Sequence, residues 1–244
     1  GDFLAEFRDP DAGLPLPSYD LWEERHGILG WTVGATYGGL KAAENFARAF
    51  GELQLAHKYA QAAEEVKLGA DRYLWQADMN CFARMINHNP DGSWEVDKVV
   101  DASLVGLWQF GMYAPDDPKI IGTMQVIRER LWVKTEVGGV ARYENDSYHQ
   151  VSQDIANVPG NPWFITTLWL AEWYAVTAQQ PEDLKPALEL LKWVARRALP
   201  SGVLAEQVNP YTNDPLSVSP LTWSHAAYVA TVQSYLAAAA RLTG

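Results

Sequence analysis

Seven stretches of helical period follow one another along this chain, and they alternate in kind. Residues 30–50, 99–113, 161–178 and 220–242 are apolar almost all round; Asp101 is the only charge in the second and Glu172 the only charge in the third. Residues 52–76, 117–134 and 183–198 are amphipathic, the first carrying Lys58, Glu64, Glu65, Lys67, Asp71 and Arg72 on one face. A helix apolar all round is buried on both sides, whereas an amphipathic one faces water on one side. Strict alternation therefore predicts two concentric layers, with inner and outer helices taking turns. The links alternate too: short ones near 51, 114–116 and 179–182, long ones at 77–98, 135–160 and 199–219. That pattern puts every long loop, and the irregular, proline-punctuated segment 1–29, at the N-terminal ends of the inner helices. Long loops in a compact domain are where function concentrates.

Local signals fix several boundaries. Asp117-Pro118 and Asn161-Pro162 each read as a cap followed by a first-turn proline. Pro186 must lie in the first turn of its helix, because an interior proline costs ~3 kcal/mol. Phe82–Ile86 and Ser93–Val96, joined around Asp91-Gly92, predict a small β-hairpin. Pro220 is expected to open the last helix.

Bulk properties exclude several classes of function. A net charge of −11 is unsuited to nucleic acid or an anionic membrane, which demand basic patches. It is compatible with a neutral ligand such as a sugar. Eleven Trp and eleven Tyr supply faces that suit sugar rings, although a helical core also consumes them. Cys81 is the sole cysteine and the five histidines lack ligand spacing, so no metal or other cofactor is expected. No apolar run is long enough to span a bilayer. The lone thiol and the absence of a signal-peptide pattern at the N-terminus point to the cytoplasm.

The densest chemistry lies in Ser18-Tyr19-Asp20-Leu21-Trp22-Glu23-Glu24-Arg25-His26-Gly27. Adjacent Glu23 and Glu24 cannot share one direction on a regular backbone, so they face different environments. Aromatic surface beside a carboxyl group favours its protonated form, which makes Glu23, amid Tyr19 and Trp22, a candidate proton donor. A solvated polar turn ahead of a helix is the plainer alternative. Glu206 precedes the last inner helix, whose dipole favours an ionised carboxylate and so a base; it could equally be an exposed loop residue. An acid and a base facing each other across a mouth are what glycoside hydrolysis requires.

Five motifs then stand in order along nearly the whole chain: Tyr-Asp-Leu-Trp-Glu-Glu at 19–24, Ala-Arg-Tyr at 141–143, Gly-Asn-Pro-Trp-Phe at 160–164, Ala-Glu-Gln at 205–207 and Pro-Leu-Thr-Trp-Ser-His at 220–225. Together they resemble glycoside hydrolase family 15, which contains glucoamylases, glucodextranases and some trehalases. The resemblance implies an all-α (α/α)6 toroid, of which the seven helices here form an incomplete ring: residues 1–244 are expected to be a single domain, the C-terminal part of the barrel. It implies an inverting exo-acting α-glucosidase with Glu23 as general acid and Glu206 as general base, their carboxyl groups ~6.5–9.5 Å apart. Trp22, Glu24 and Arg142 correspond to sugar-binding neighbours. Trp163 walls the acceptor side or is simply a core Trp at a helix start. Residues 144–159 receive no role. The expected partners are an α-glucan or oligosaccharide and the missing N-terminal half of the barrel. Trehalase activity, or a non-catalytic helical fragment that needs its other half, are the alternatives.

Overall fold

The computed structural model describes residues 1–243, which form two compact units. The first comprises Gly1–Val99 with Ser103–Thr123; the second comprises Val100–Ala102 with the residues from Met124 onward.

In the first unit the segment expected to be irregular is partly ordered. It holds a short helix α1 (Asp2–Glu6) and two strands, β1 (Ser18–Tyr19) and β2 (His26–Leu29). β2 runs directly into α2 (Gly30–Ala49), and three residues later α3 (Leu53–Gly69) packs against it. Both helices bury one stripe at three-to-four-residue spacing: Val33, Leu40, Glu44 and Ala47 on α2, and Ala56, Tyr59, Ala63 and Val66 on α3. Phe46 of α2 is 68% exposed, so this helix is not enclosed as its composition suggests. Lys58 on α3 anchors α1 through Asp2 and Glu6 at 2.9 and 2.8 Å.

The α-helical part of the run 52–76 ends at Gly69. A π-helical turn, Ala70–Leu74, follows, and the backbone then extends into β3 (Trp75–Gln76), which pairs with β4 (Cys81–Phe82). Strand pairing displaces the last predicted helical turn, and the Ala83 N–H donates to the Leu74 carbonyl at 2.7 Å. The predicted hairpin is present as β5 (Met85–His88) and β6 (Trp94–Asp97), with Gly92 at φ +81°, but its first strand starts at Met85 and not at Phe82, because Phe82 pairs with Trp75. It belongs to a larger antiparallel sheet in the order β1-β2-β5-β6. The expected helix at 99–113 is reduced to a 3-10 turn, Ala102–Val105, and one α-helical turn, α4 (Gly106–Gln109). Its first residues are drawn into pairing with 142–144, where Ala102 N–H reaches the Arg142 carbonyl at 2.7 Å and Asp101 bridges Tyr143. α4 lies so close to α2 that a Cβ at Gly34 would stand 2.6 Å from the Gly106 carbonyl oxygen; only glycine permits that approach.

α5 (Pro118–Leu131) starts in the first unit, where the Asp117 carboxylate accepts the Lys119 N–H at 2.8 Å as the Asp-Pro signal foretold, and from Met124 its residues belong to the second unit. The centre of the second unit is α6 (Phe164–Thr177), buried all round from Phe164 to Ala171. A 3-10 turn, Pro181–Leu184, leads into α7 (Lys185–Ala195), with Pro186 in the first turn. Strands β7 (Gln207–Val208) and β8 (Pro215–Leu216) precede α8 (Thr222–Thr243). Phe164, Leu168, Leu191, Trp193, Val194 and Val208 form one core cluster; Ala175, Leu184, Ala187 and Ala238 form another. α8 begins two residues after Pro220 and buries a single stripe, Ser224, Thr231 and Ala238, leaving Val229 and Leu236 more than half exposed. Among the described residues no helix is long and apolar enough to cross a membrane.

Candidate active site

Trp22, Glu23 and Glu24 lie in the loop joining β1 to β2, whose register pairs Ser18 with Gly27 and Tyr19 with His26. The loop is pinned by Asp20. Its Oδ1 accepts the backbone N–H groups of Glu24 at 2.7 Å and Arg25 at 3.2 Å. The Asp20 N–H in turn donates to the Arg25 carbonyl at 2.8 Å, and the Glu23 N–H donates to the Asp20 carbonyl at 3.1 Å. Asp20 itself is buried, with Arg25 Nη1 3.7 Å from its second oxygen. This closure sets Glu23 at φ +60°, a left-handed conformation that costs a non-glycine residue about 1–2 kcal/mol.

The consequence is that the two adjacent glutamates diverge. Glu24 accepts a hydrogen bond from Arg25 at 2.8 Å. Glu23 is exposed, and its carboxylate has no hydrogen bond or ion pair among the described residues. Trp22 is buried, and Tyr19, 67% exposed, packs edge-on against His26.

Arg142, Trp163 and Glu206 come together in the second unit. Arg142 is buried; its Nε and Nη2 each donate to one oxygen of the fully buried Asp146 carboxylate at 2.8 Å. Its guanidinium lies 4.7–5.0 Å from the ring centroids of Trp163, Tyr148 and Tyr143. A delocalised, weakly hydrated cation tolerates that aromatic enclosure. Asp146 also accepts the Tyr148 N–H at 3.0 Å, so the segment 144–159, without a role in the sequence, folds back on Arg142.

Short backbone pairings tie the loops of this unit together: Trp132 with Val140, Val140 with Trp163, and Trp163 with Gln207, which continues into β8. Glu206 is carried on this ladder. Its carbonyl accepts the Phe164 N–H at the start of α6 (3.3 Å), and its N–H donates to Val218 (2.9 Å). The flanking residues are fastened to the start of α8: Ser224 Oγ donates to the Ala205 carbonyl at 2.7 Å, and Leu204 N–H donates to His225 Nε2 at 3.0 Å. Glu206 thus sits beside the first turns of two long helices. The Gln207 side-chain amide donates to Glu206 Oε2 at 3.3 Å.

Asn161 is not the helix cap that its Asn-Pro signature predicts. α6 starts at Phe164, with Trp163 at its cap position and no side-chain cap bond. The Asn161 amide instead donates to the His149 carbonyl and to Gln207 Oε1, at 2.7 and 2.8 Å. Sequence reasoning therefore missed Asp20, Asp146, Asn161 and Gln207 as positioning groups. Only Asp20 carried a usable signal, since aspartate at the head of a turn accepts N–H groups two or more residues on. A groove of about 550 Å³ in this unit, between Trp132, Glu136, Trp193 and Arg197, is lined by none of Arg142, Trp163 and Glu206.

The helical pairs are those of an (α/α)6 barrel. A bacterial glucoamylase solved in complex with acarbose superposes with a TM-score of 0.74 at 24% identity, over 91% of this chain and 37% of its own. The chain belongs to family 15 of the glycosyl hydrolases, whose family model matches residues 14–233. Among its relatives, an uncharacterized glycosyl hydrolase of Methanocaldococcus jannaschii is 32% identical over 223 residues, 87% of this chain. A glucoamylase of a Clostridium species is 27% identical over 234 residues, 88% of this chain. The chain spans 33% of the length of each of these two relatives.

Proposed function

We propose that residues 1–244 are the C-terminal part of an (α/α)6 catalytic domain that removes terminal α-linked glucose from oligo- or polysaccharides with inversion of configuration. In this reading Glu23 protonates the glycosidic oxygen as the C1–O bond breaks. Glu206 takes a proton from the water that attacks C1 on the opposite face, so β-glucose leaves first. Trp22, Glu24, Arg142 and Trp163 are the sugar-site residues by motif; Glu24 is exposed, whereas Trp22, Arg142 and Trp163 are buried, with Arg142 held rigid by Asp146. The N-terminal part of the barrel is the partner that completes the pocket.

The observation that carries this reading is the contrast between the two carboxylates inside the matched region 14–233. Glu23 is exposed on a pinned turn, available to a substrate oxygen. Glu206 is half-buried beside two helix starts and accepts a hydrogen bond from the Gln207 amide. The relative named glucoamylase supports a glucan substrate.

The test uses the full-length protein and two leaving groups. An activated fluoride departs with little protonation, whereas a sugar hydroxyl needs it. Glu23→Gln is expected to lose ~10²–10⁴-fold on maltooligosaccharides and clearly less on α-glucosyl fluoride. Glu206→Gln, which removes water activation, should be slow on both. Proton NMR of the first product from maltose, isomaltose or trehalose reports the anomer and the linkage; α-glucose as first product would exclude inversion.

A further inference from the structure

The Gln207 amide is useful to Glu206 in only one of its two orientations, and the structure shows what selects it. Asn161 and Gln207 are 1% and 0% exposed. Asn161 faces two backbone groups of fixed polarity. Its Nδ2 points at the His149 carbonyl, 2.7 Å, and its Oδ1 receives the Val151 N–H, 3.4 Å. Flipping the Asn161 amide would set oxygen against oxygen and N–H against N–H. Its remaining Nδ2 hydrogen therefore points at Gln207, whose Oε1 accepts it at 2.8 Å. With Oε1 so engaged, Gln207 must present Nε2 to Glu206 Oε2, at 3.3 Å. In the opposite orientation an amide oxygen would face the carboxylate, a repulsive contact that also removes a donor.

We infer that Asn161 is a positioning residue: it reads the backbone of residues 149–151 and fixes the Gln207 amide as a donor to the Glu206 carboxylate, whose orientation is thereby set. The inference rests on the reading of Glu206 as the base. It gives the segment 144–160 a part in the reaction without any contact with sugar. Disturbing that segment changes turnover through a relay of two amides.

The experiment is a double-mutant cycle in the full-length protein, measured on maltotriose and on α-glucosyl fluoride. Asn161→Asp preserves shape but replaces the donor with an acceptor, which favours the wrong Gln207 orientation. The expected result is a loss of about 10–100-fold in kcat on both substrates, with KM near the wild-type value. A group that merely supports the fold would not produce that split. In the Gln207→Ala background the same change should cost little, because Asn161 acts only through Gln207. Wild-type kcat in Asn161→Asp, or additive losses in the double variant, would overturn the relay. If Asn161→Asp does not fold, Asn161→Ala enters the same cycle with the same criterion. Glu206→Gln is run in parallel. Should it retain turnover on both substrates, the base assignment fails; should it be inactive while Asn161→Asp is unaffected, the relay alone fails.

Discussion

Removing the Asp20 carboxylate is the sharpest perturbation of the β1–β2 loop that leaves Glu23 and Glu24 intact. Asp20 Oδ1 holds two backbone N–H groups, of Glu24 and Arg25, and both bonds are made to a charged acceptor. Bonds of that kind contribute about 1.5–3 kcal/mol each. Glu24 lies at the surface and Arg25 is half-buried, so water can reach the freed N–H groups and recover part of this. Asp20 is buried, and its Oδ2 has no hydrogen-bond partner among the described residues, so truncation also removes a desolvation cost. A net loss of about 2–3 kcal/mol follows for Asp20→Ala, felt mainly as release of the loop. The strain of ~1–2 kcal/mol in Glu23 pushes the same way, because a freed turn leaves the left-handed region. Converted at 1.36 kcal/mol per tenfold, kcat of the full-length protein on maltotriose should fall about 30–150-fold. Asp20→Asn keeps an acceptor of the same shape and loses only the charge, about 1 kcal/mol, so a fall of roughly fivefold is expected. Initial-rate measurements on both variants, with circular dichroism to confirm folding, decide the matter. The reasoning is refuted if Asp20→Ala turns over within twofold of wild type, or if the alanine and asparagine variants are equally impaired.

Two further outcomes concern stability. Arg142→Met leaves the fully buried Asp146 carboxylate without its guanidinium and should cost about 3–5 kcal/mol in urea unfolding, whereas Arg142→Lys keeps the charge, loses the fork and should cost less. Glu44 is held below the usual carboxylate range by hydrogen bonds from Lys41 and then Arg48, against a smaller opposing effect of burial. A carboxyl whose pKa is lower folded than unfolded contributes stability above its unfolded value and loses it as pH falls through the folded one. The melting temperature of Glu44→Gln should therefore lie below wild type at neutral pH, and the gap should close on acidification; a gap that widens would contradict the sign. Both partners are substantially exposed, so the gap should also narrow with salt.

Periodicity and composition by themselves determined the elements whose partners lie close along the chain. α6 reads as buried because its residues are apolar on every side, and it is; α7 reads as amphipathic with Pro186 in its first turn, and it is. Gly92 marks its hairpin because a positive φ there suits glycine. Pairing between distant segments is not encoded in any local pattern, and there the tertiary structure decided. Residues 100–102 look helical in isolation but find better use for their backbone groups opposite 142–144. The helical run from 52 gives way after Gly69 to a π-helical turn and then to a strand for the same reason. At the candidate site the sequence sets Glu23 among aromatic residues and Glu206 ahead of a helix, but it does not show what fastens either one. Their difference in environment comes from Asp20 closing a turn on one and from Gln207 donating to the other. The Asn161 signature, read locally, is a helix cap. Only the approach of His149, Val151 and Gln207 from 10 to 46 residues away turns that amide inward, because a buried amide takes whichever orientation satisfies all its neighbours at once.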